Sequence, residues 1–134
     1  MTKIGIDVGV KNIGVAAVPL KDNNMYTTVD DIYLVKRIIQ RYNPIQFVAV
    51  ESPFCRNNIK YYKILCEQIG YIKGVCNELG IDCIETNIKK ANNIIKAKTN
   101  DDKVAGVRKL GYTVQDSHQA SAVLSILVAE GMDE

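Results

Sequence analysis

The sequence predicts an α/β layered domain built on a central mixed five-stranded sheet with helices on both faces. Three observations predict it. Three short apolar strand-like segments come first, and helical and strand-like segments then alternate. One of the later strands, Phe47 to Val50, is apolar without a break, the pattern of a strand covered on both sides.

Lys3 to Val8 carries Ile4, Ile6 and Val8 in alternation and reads as the first strand. Gly9 and Lys11-Asn12 make a turn, and Gly14 to Val18 returns as a second strand, antiparallel to the first. Pro19 to Asn24 is polar and turn-rich, and Met25 to Thr28 forms a short third strand. From Asp30 the period changes. Ile32, Val35, Ile38, Ile39 and Tyr42 share one helical face, capped by Asp30 or Asp31 and ended by Asn43-Pro44. A long helix follows Phe47 to Val50, from Asn58 to Leu79, with Gly80 as its stop. Ile81 to Thr86 is the fifth strand. Helices are expected over Ile88 to Lys96, Asp102 to Leu110 and Ser117 to Glu130, the last capped by Asp116.

The chain of 134 residues is 47% apolar and 24% charged, an ordinary mix for one compact domain spanning residues 1–134. No apolar run is long enough to span a membrane, and the N-terminus lacks the regions of a signal peptide. A cytoplasmic protein is expected, or one of the nucleus or a viral factory in a eukaryotic setting. Cys55, Cys66, Cys76 and Cys83 form no C-x-x-C pair and the chain has one histidine, which argues against zinc. The thiols read as reduced, small apolar groups. Net charge is +2, but residues 86–110 carry seven basic side chains against two acidic ones. One basic flank on a neutral body suits a polyanion; a solvated helix face has the same composition.

Three acids stand in unusual places. Asp7 lies inside the first apolar strand, where an unpaired carboxylate costs several kcal/mol if buried; a nearby cation or the turn amides of Gly9 to Asn12 would answer that cost. Glu51 ends the buried strand, where ligands gather in open α/β sheets, though a lone glutamate there can simply be solvated. Asp116 begins the final helix and reads equally as an N-cap. Converging, the three would offer oxygen ligands of the kind that favour Mg²⁺ or Mn²⁺, the set that two-metal phosphodiester hydrolysis uses.

The segment Ile4-Gly5-Ile6-Asp7-Val8-Gly9, with Asn12-Ile13-Gly14-Val15-Ala16, resembles the opening of RuvC-type resolvases of the RNase H-like superfamily. Val48-Ala49-Val50-Glu51-Ser52-Pro53-Phe54 resembles their second motif, Ile88-Lys89-Lys90 and Asp102-Lys103-Val104 their basic stretches, and Asp116-Ser117-His118-Gln119-Ala120-Ser121-Ala122 their closing motif. The motifs run in order over nearly the whole chain. One departure stands out: the family's usual second acid of the closing motif is Gln119 here, beside His118. The chain is also shorter than typical cellular members, which suits a phage, viral or mobile-element version.

The resemblance implies an RNase H-like fold and a crossover junction endodeoxyribonuclease. It implies two Mg²⁺ ions per site, with Mn²⁺ as the alternative, held by Asp7, Glu51 and Asp116, with His118 or Gln119 completing the set. It implies symmetric cuts in a four-way DNA junction by a homodimer, leaving 5′-phosphates. Lys103 would face a phosphate near the transition state, Lys89, Lys90 and Lys98 would meet the backbone, and Phe54 would stack on a base at the crossover. Arg56, Lys60 and Lys63 would touch a second arm. The Asn58 to Leu79 helix is a dimer element in one reading, with Gly70 and Gly74 allowing close approach; in the other these glycines pack on the sheet. Two functional alternatives accompany this one: a YqgF-like RNA-processing nuclease of the same superfamily, and a non-catalytic module that binds branched DNA, which the Gln119 departure favours. An ATPase fragment of the actin-like or sugar-kinase kind ranks last, since the chain lacks glycine-rich phosphate loops.

Overall fold

A computed structural model describes residues 1–53 and 58–131. Five strands, β1 (Thr2–Asp7), β2 (Ile13–Pro19), β3 (Met25–Val29), β4 (Ile45–Glu51) and β5 (Cys83–Thr86), form one sheet in the order β3-β2-β1-β4-β5. β1 is antiparallel to β2 and parallel to β4; β2 and β3 are antiparallel, β4 and β5 parallel. The expected mixed five-stranded sheet is therefore present. Helices α1 (Ile32–Tyr42) and α2 (Ile59–Leu79) cover one face, and α3 (Ile88–Ile95), α4 (Asn100–Lys109) and α5 (Ser117–Ala129) the other.

Alternation in β1 decides which residue faces which layer. Ile4 and Ile6, fully buried, join Val48 and Val50 in the core under α1 and α2. Fully burying each such side chain contributes roughly 1.5–3 kcal/mol. Gly5 and Asp7 face the opposite layer, as do Phe47 and Ala49. That layer is dominated by α5, whose residues Ala122 to Leu127 are all buried. The helix is apolar nearly all round because it lies between the sheet and α3 and α4.

Caps explain most boundaries. Asp31 accepts the Tyr33 N–H at the start of α1, and Gly80, at a φ of 70°, ends α2. α4 begins earlier than its apolar pattern indicated, because Thr99 Oγ1 accepts the Asp102 N–H and so caps a turn carrying Asp101 and Asp102. β5 starts at Cys83, since the preceding Ile81 N–H bonds back to Cys76 in the closing turn of α2. Gly70 and Gly74 are exposed, and a Cβ added at either meets nothing within 4 Å. They do not pack on the sheet, which removes one of the two readings given to them. Of the described cysteines, Cys76 is buried and Cys83 half-buried as expected of small apolar groups, but Cys66 is exposed on α2. Among the described residues no helix is long and apolar enough to cross a membrane.

Candidate active site

Asp7, Glu51 and the start of α5 lie at one end of the sheet. In the parallel register Gly5 pairs with Ala49 and Ile6 with Val50, so Asp7 and Glu51 follow as the last residue of each strand. Asp7 pairs across β2 with Gly14, Gly14 pairs with Thr28 of β3, and Glu51 pairs with Thr86 of β5. One row, Thr28–Gly14–Asp7–Glu51–Thr86, thus crosses the sheet at the carboxyl ends of β1 and β4, where parallel sheets gather ligands.

Two glycines bring the last helix down onto this row. A Cβ on Gly5 would collide with the Ala122 carbonyl, and one on Gly14 with the His118 carbonyl, both well under the 3.0 Å that real Cβ atoms observe. Without side chains at these two places, α5 rests its backbone on β1 and β2 and sets its first turn over Asp7. His118 Nδ1 stands 3.2 Å from Asp7 Oδ2. Asp116 caps the helix, its Oδ1 accepting the Gln119 N–H at 2.8 Å and its Oδ2 the Thr28 hydroxyl at 2.6 Å. Lys103, on α4, donates to Ser121 Oγ at 3.1 Å. The turn after Asp7 is clamped by α2: Gln68 accepts the Gly9 N–H and donates to the Gly9 carbonyl.

Among the described residues, Lys103 and His118 are the basic groups that act on the two strand-end acids. Burial pushes the Asp7 carboxyl above its ordinary range; the His118 hydrogen bond, the His118 charge and Lys103 pull it down without offsetting burial, and Asp116 pushes it further up. Glu51 is raised to about 7, first by burial and then by the Asp7 charge, against the pull of Lys103. His118 is raised, chiefly through its bond to Asp7. Two half-buried acids that, among the described residues, Lys103 and His118 do not offset are a donor set suited to a divalent cation, with oxygen ligands and one nitrogen. Among the described residues no three His, Cys, Asp or Glu side chains are already gathered as a cage. Asp7 is instead the hub, touching His118 and sensing the charges of Lys103 and Asp116, while Glu51 senses Asp7.

The structure therefore brings His118 into contact with Asp7, and Glu51, Asp116 and Lys103 within electrostatic reach of it. Gln119 is different. It is 4% exposed, its Oε1 accepts the Gln115 N–H and its Nε2 donates to Thr28, so both ends of its amide are engaged within the fold. Lys60 and Lys63 are exposed on the first turns of α2, and Lys89 and Lys90 on the first turn of α3. Those helices follow Glu51 and Thr86, so both basic pairs lie towards the same end of the sheet as the acids. Lys98 is exposed between α3 and α4. Phe54 and Arg56 lie outside the described residues. Asp116 also lines a groove of about 500 Å³ with Asp101 and Arg108, which Asp7 and Glu51 do not reach.

Sequence reasoning missed Gly5, Gly14, Thr28 and Gln68. The glycines carried a signal, since a glycine inside an apolar strand marks close approach of another backbone. Thr28 and Gln68 carried none, because only the folded chain brings them to Asp116 and Gly9.

The five-stranded sheet in the order β3-β2-β1-β4-β5, with helices on both faces, has the RNase H-like fold. No protein-family model and no curated protein matches the sequence. In three dimensions the chain is similar to Thermus thermophilus RuvC in complex with a Holliday junction substrate, at 17% identity, covering 95% of this chain and 91% of that one, with a TM-score of 0.76. A second Thermus thermophilus RuvC structure gives 16% identity, 98% and 97% coverage and a TM-score of 0.76. Fowlpox virus resolvase in complex with substrate Holliday junction DNA gives 19% identity, 98% and 99% coverage and a TM-score of 0.55.

Proposed function

We propose that the protein is a divalent-metal-dependent endonuclease that cuts branched DNA, four-way junctions foremost, by phosphodiester hydrolysis that leaves 5′-phosphates. The observation that carries this reading is the Asp7–Glu51 pair, half-buried at the ends of two parallel strands, with both carboxyls raised by desolvation. Two of the structurally similar proteins are complexes with Holliday junction DNA, which supports the choice of substrate.

In this reading Asp7, Glu51, Asp116 and His118 hold two Mg²⁺ or Mn²⁺ ions. Bound there, divalent ions would supply Lewis acidity for water activation and for charge on the departing oxygen. The chain supplies the rest. The row across the sheet fixes the spacing of Asp7 and Glu51, and the cap bond fixes Asp116. Lys103, whose charge reaches Asp7 and Glu51, would neutralise a substrate phosphate. Lys60, Lys63, Lys89, Lys90 and Lys98 supply exposed charge for the duplex arms, with Arg56 beside them in sequence, and Phe54 stacks on a base at the crossover. A homodimer presents two such sites. Its contact runs along α2, where Gly70 and Gly74 leave open space.

Purified protein incubated with a mobile four-way junction should give paired symmetric nicks in Mg²⁺ and none in EDTA. Asp7→Asn should bind the junction and fail to nick it. Equal cutting of linear duplex would reduce the protein to a general nuclease, and faster cutting of structured RNA would favour RNA processing. A second reading, a non-catalytic branched-DNA-binding module, draws on Asp116, whose two oxygens are already engaged within the fold. Junction binding with no nicking by the unmodified protein in either metal would establish it.

A further inference from the structure

Beside the acids lies a closed ring of hydrogen bonds that joins β3 to the start of α5. Thr28 Oγ1 stands 2.6 Å from Asp116 Oδ2 and 3.3 Å from Gln119 Nε2. Gln119 Oε1 is 2.9 Å from the Gln115 N–H, and the Gln119 N–H is 2.8 Å from Asp116 Oδ1.

Every polarity in this ring is forced. The Gln115 N–H can only donate, so the Gln119 side chain must turn its oxygen towards it and its NH₂ towards Thr28. The NH₂ can only donate, so the Thr28 hydroxyl accepts there and must spend its one proton on Asp116 Oδ2. That bond is short, as hydroxyl-to-carboxylate bonds are. Thr28 also shares the cross-strand row with Asp7, two strands away at roughly 4.8 Å per strand. Asp116 is thus held at both oxygens, one by its helix and one by the sheet that carries Asp7.

We infer that Thr28 and Gln119 are positioning residues for the acidic site: Gln119 fixes the direction of the Thr28 hydroxyl, and Thr28 fixes the orientation of the Asp116 carboxylate. This rests on the reading of Asp7, Glu51 and Asp116 as metal ligands, and it assigns Gln119 a role other than ligand. An acid at position 119 is then the wrong group. A glutamate would compete for the single Thr28 proton and set a second negative charge against Asp116. A carboxylate at position 119 weakens metal binding if that residue positions Asp116 through Thr28 and strengthens it if that residue is itself a ligand.

The experiment is Mn²⁺ titration of the metal-free full-length chain by calorimetry, without DNA, for wild type, Thr28→Val, Thr28→Ser, Gln119→Glu and Asp7→Asn. Partners that orient a metal ligand are typically worth 10–100-fold in affinity, so Thr28→Val should bind Mn²⁺ on the order of 10-fold more weakly and Thr28→Ser about as well as wild type. Gln119→Glu should bind more weakly despite its added carboxylate. Tighter binding by Gln119→Glu overturns the inference, as does wild-type affinity in Thr28→Val. If Thr28→Val does not fold, Thr28→Ser and Gln119→Glu decide the matter alone. Asp7→Asn separates the two levels: loss of Mn²⁺ binding there with wild-type binding in the other variants sinks only this inference, whereas wild-type binding in Asp7→Asn sinks the metal site itself.

Discussion

Replacing Glu51 with glutamine should stabilise the metal-free protein at alkaline pH while removing its response to metal. Glu51 has an ordinary value of 4.5 and sits at about 7 in the fold. At about 1.4 kcal/mol per pH unit, ionising it there costs up to roughly 3 kcal/mol more than in the unfolded chain. The sign follows from the direction. A carboxyl raised by folding contributes its stability below pH 4.5, where it is protonated in both states, and loses it as pH rises to about 7. Glutamine keeps the shape and has no proton to lose. In EDTA the two proteins should melt within a few degrees of each other near pH 4.5. At pH 8 the variant should melt higher, by roughly 10 °C for the full 3 kcal/mol in a chain of this size. Mg²⁺ added at pH 8 should raise the melting point of the wild type and leave the variant nearly unchanged. Circular dichroism melts at two pH values, with and without metal, make the measurement. A variant that melts below wild type at pH 8 in EDTA, or a difference that ignores pH, would refute the assignment of Glu51 as a desolvated acid awaiting a cation.

Gly5→Ala forces a Cβ into the Ala122 carbonyl, which is backbone and cannot step aside; about 3 kcal/mol should be lost in urea denaturation. The single histidine gives a clean imidazole resonance: His118 should titrate above its ordinary 6.5 in metal-free protein, raised mainly by Asp7, and fall back in Asp7→Asn. Because folding raises that group, its contribution to stability is complete below pH 6.5 and fades as pH climbs through the folded value. Thr99→Ala removes the cap of α4 and should cost about 1 kcal/mol, with a further loss of nicking through the misplacement of Lys103.

The sheet was legible because its signals are local. Ile4 and Ile6 alternate, Phe47 to Val50 is unbroken, and Gly80 stops α2 at the place where a glycine can turn the chain. Asp7 and Glu51 were legible as anomalies, charges at the ends of apolar runs. What could not be read was contact between distant segments. Thr28 is an unremarkable residue on a short edge strand until Gly14 allows α5 to settle beside it. Gln119 read as a missing acid because position in a motif says nothing about where a side chain's two ends go; the fold turns them to Gln115 and Thr28. Asp116 reads both as a cap and as a candidate ligand; its hydrogen bonds show the cap, and the ligand role is part of the proposed function.

Gly5 and Gly14 have a consequence for how the molecule tolerates change. Main chain rests on main chain there, so the gap between helix and sheet is a fixed spacer that no side-chain volume sets. Packing around the outer flank of α5 can drift in size and shape, loosening or tightening the domain, while Asp7 and the helix terminus above it keep their separation. Chemistry at that end of the sheet is insulated from the ordinary wear of core residues and is exposed instead at two positions where even a methyl group does not fit.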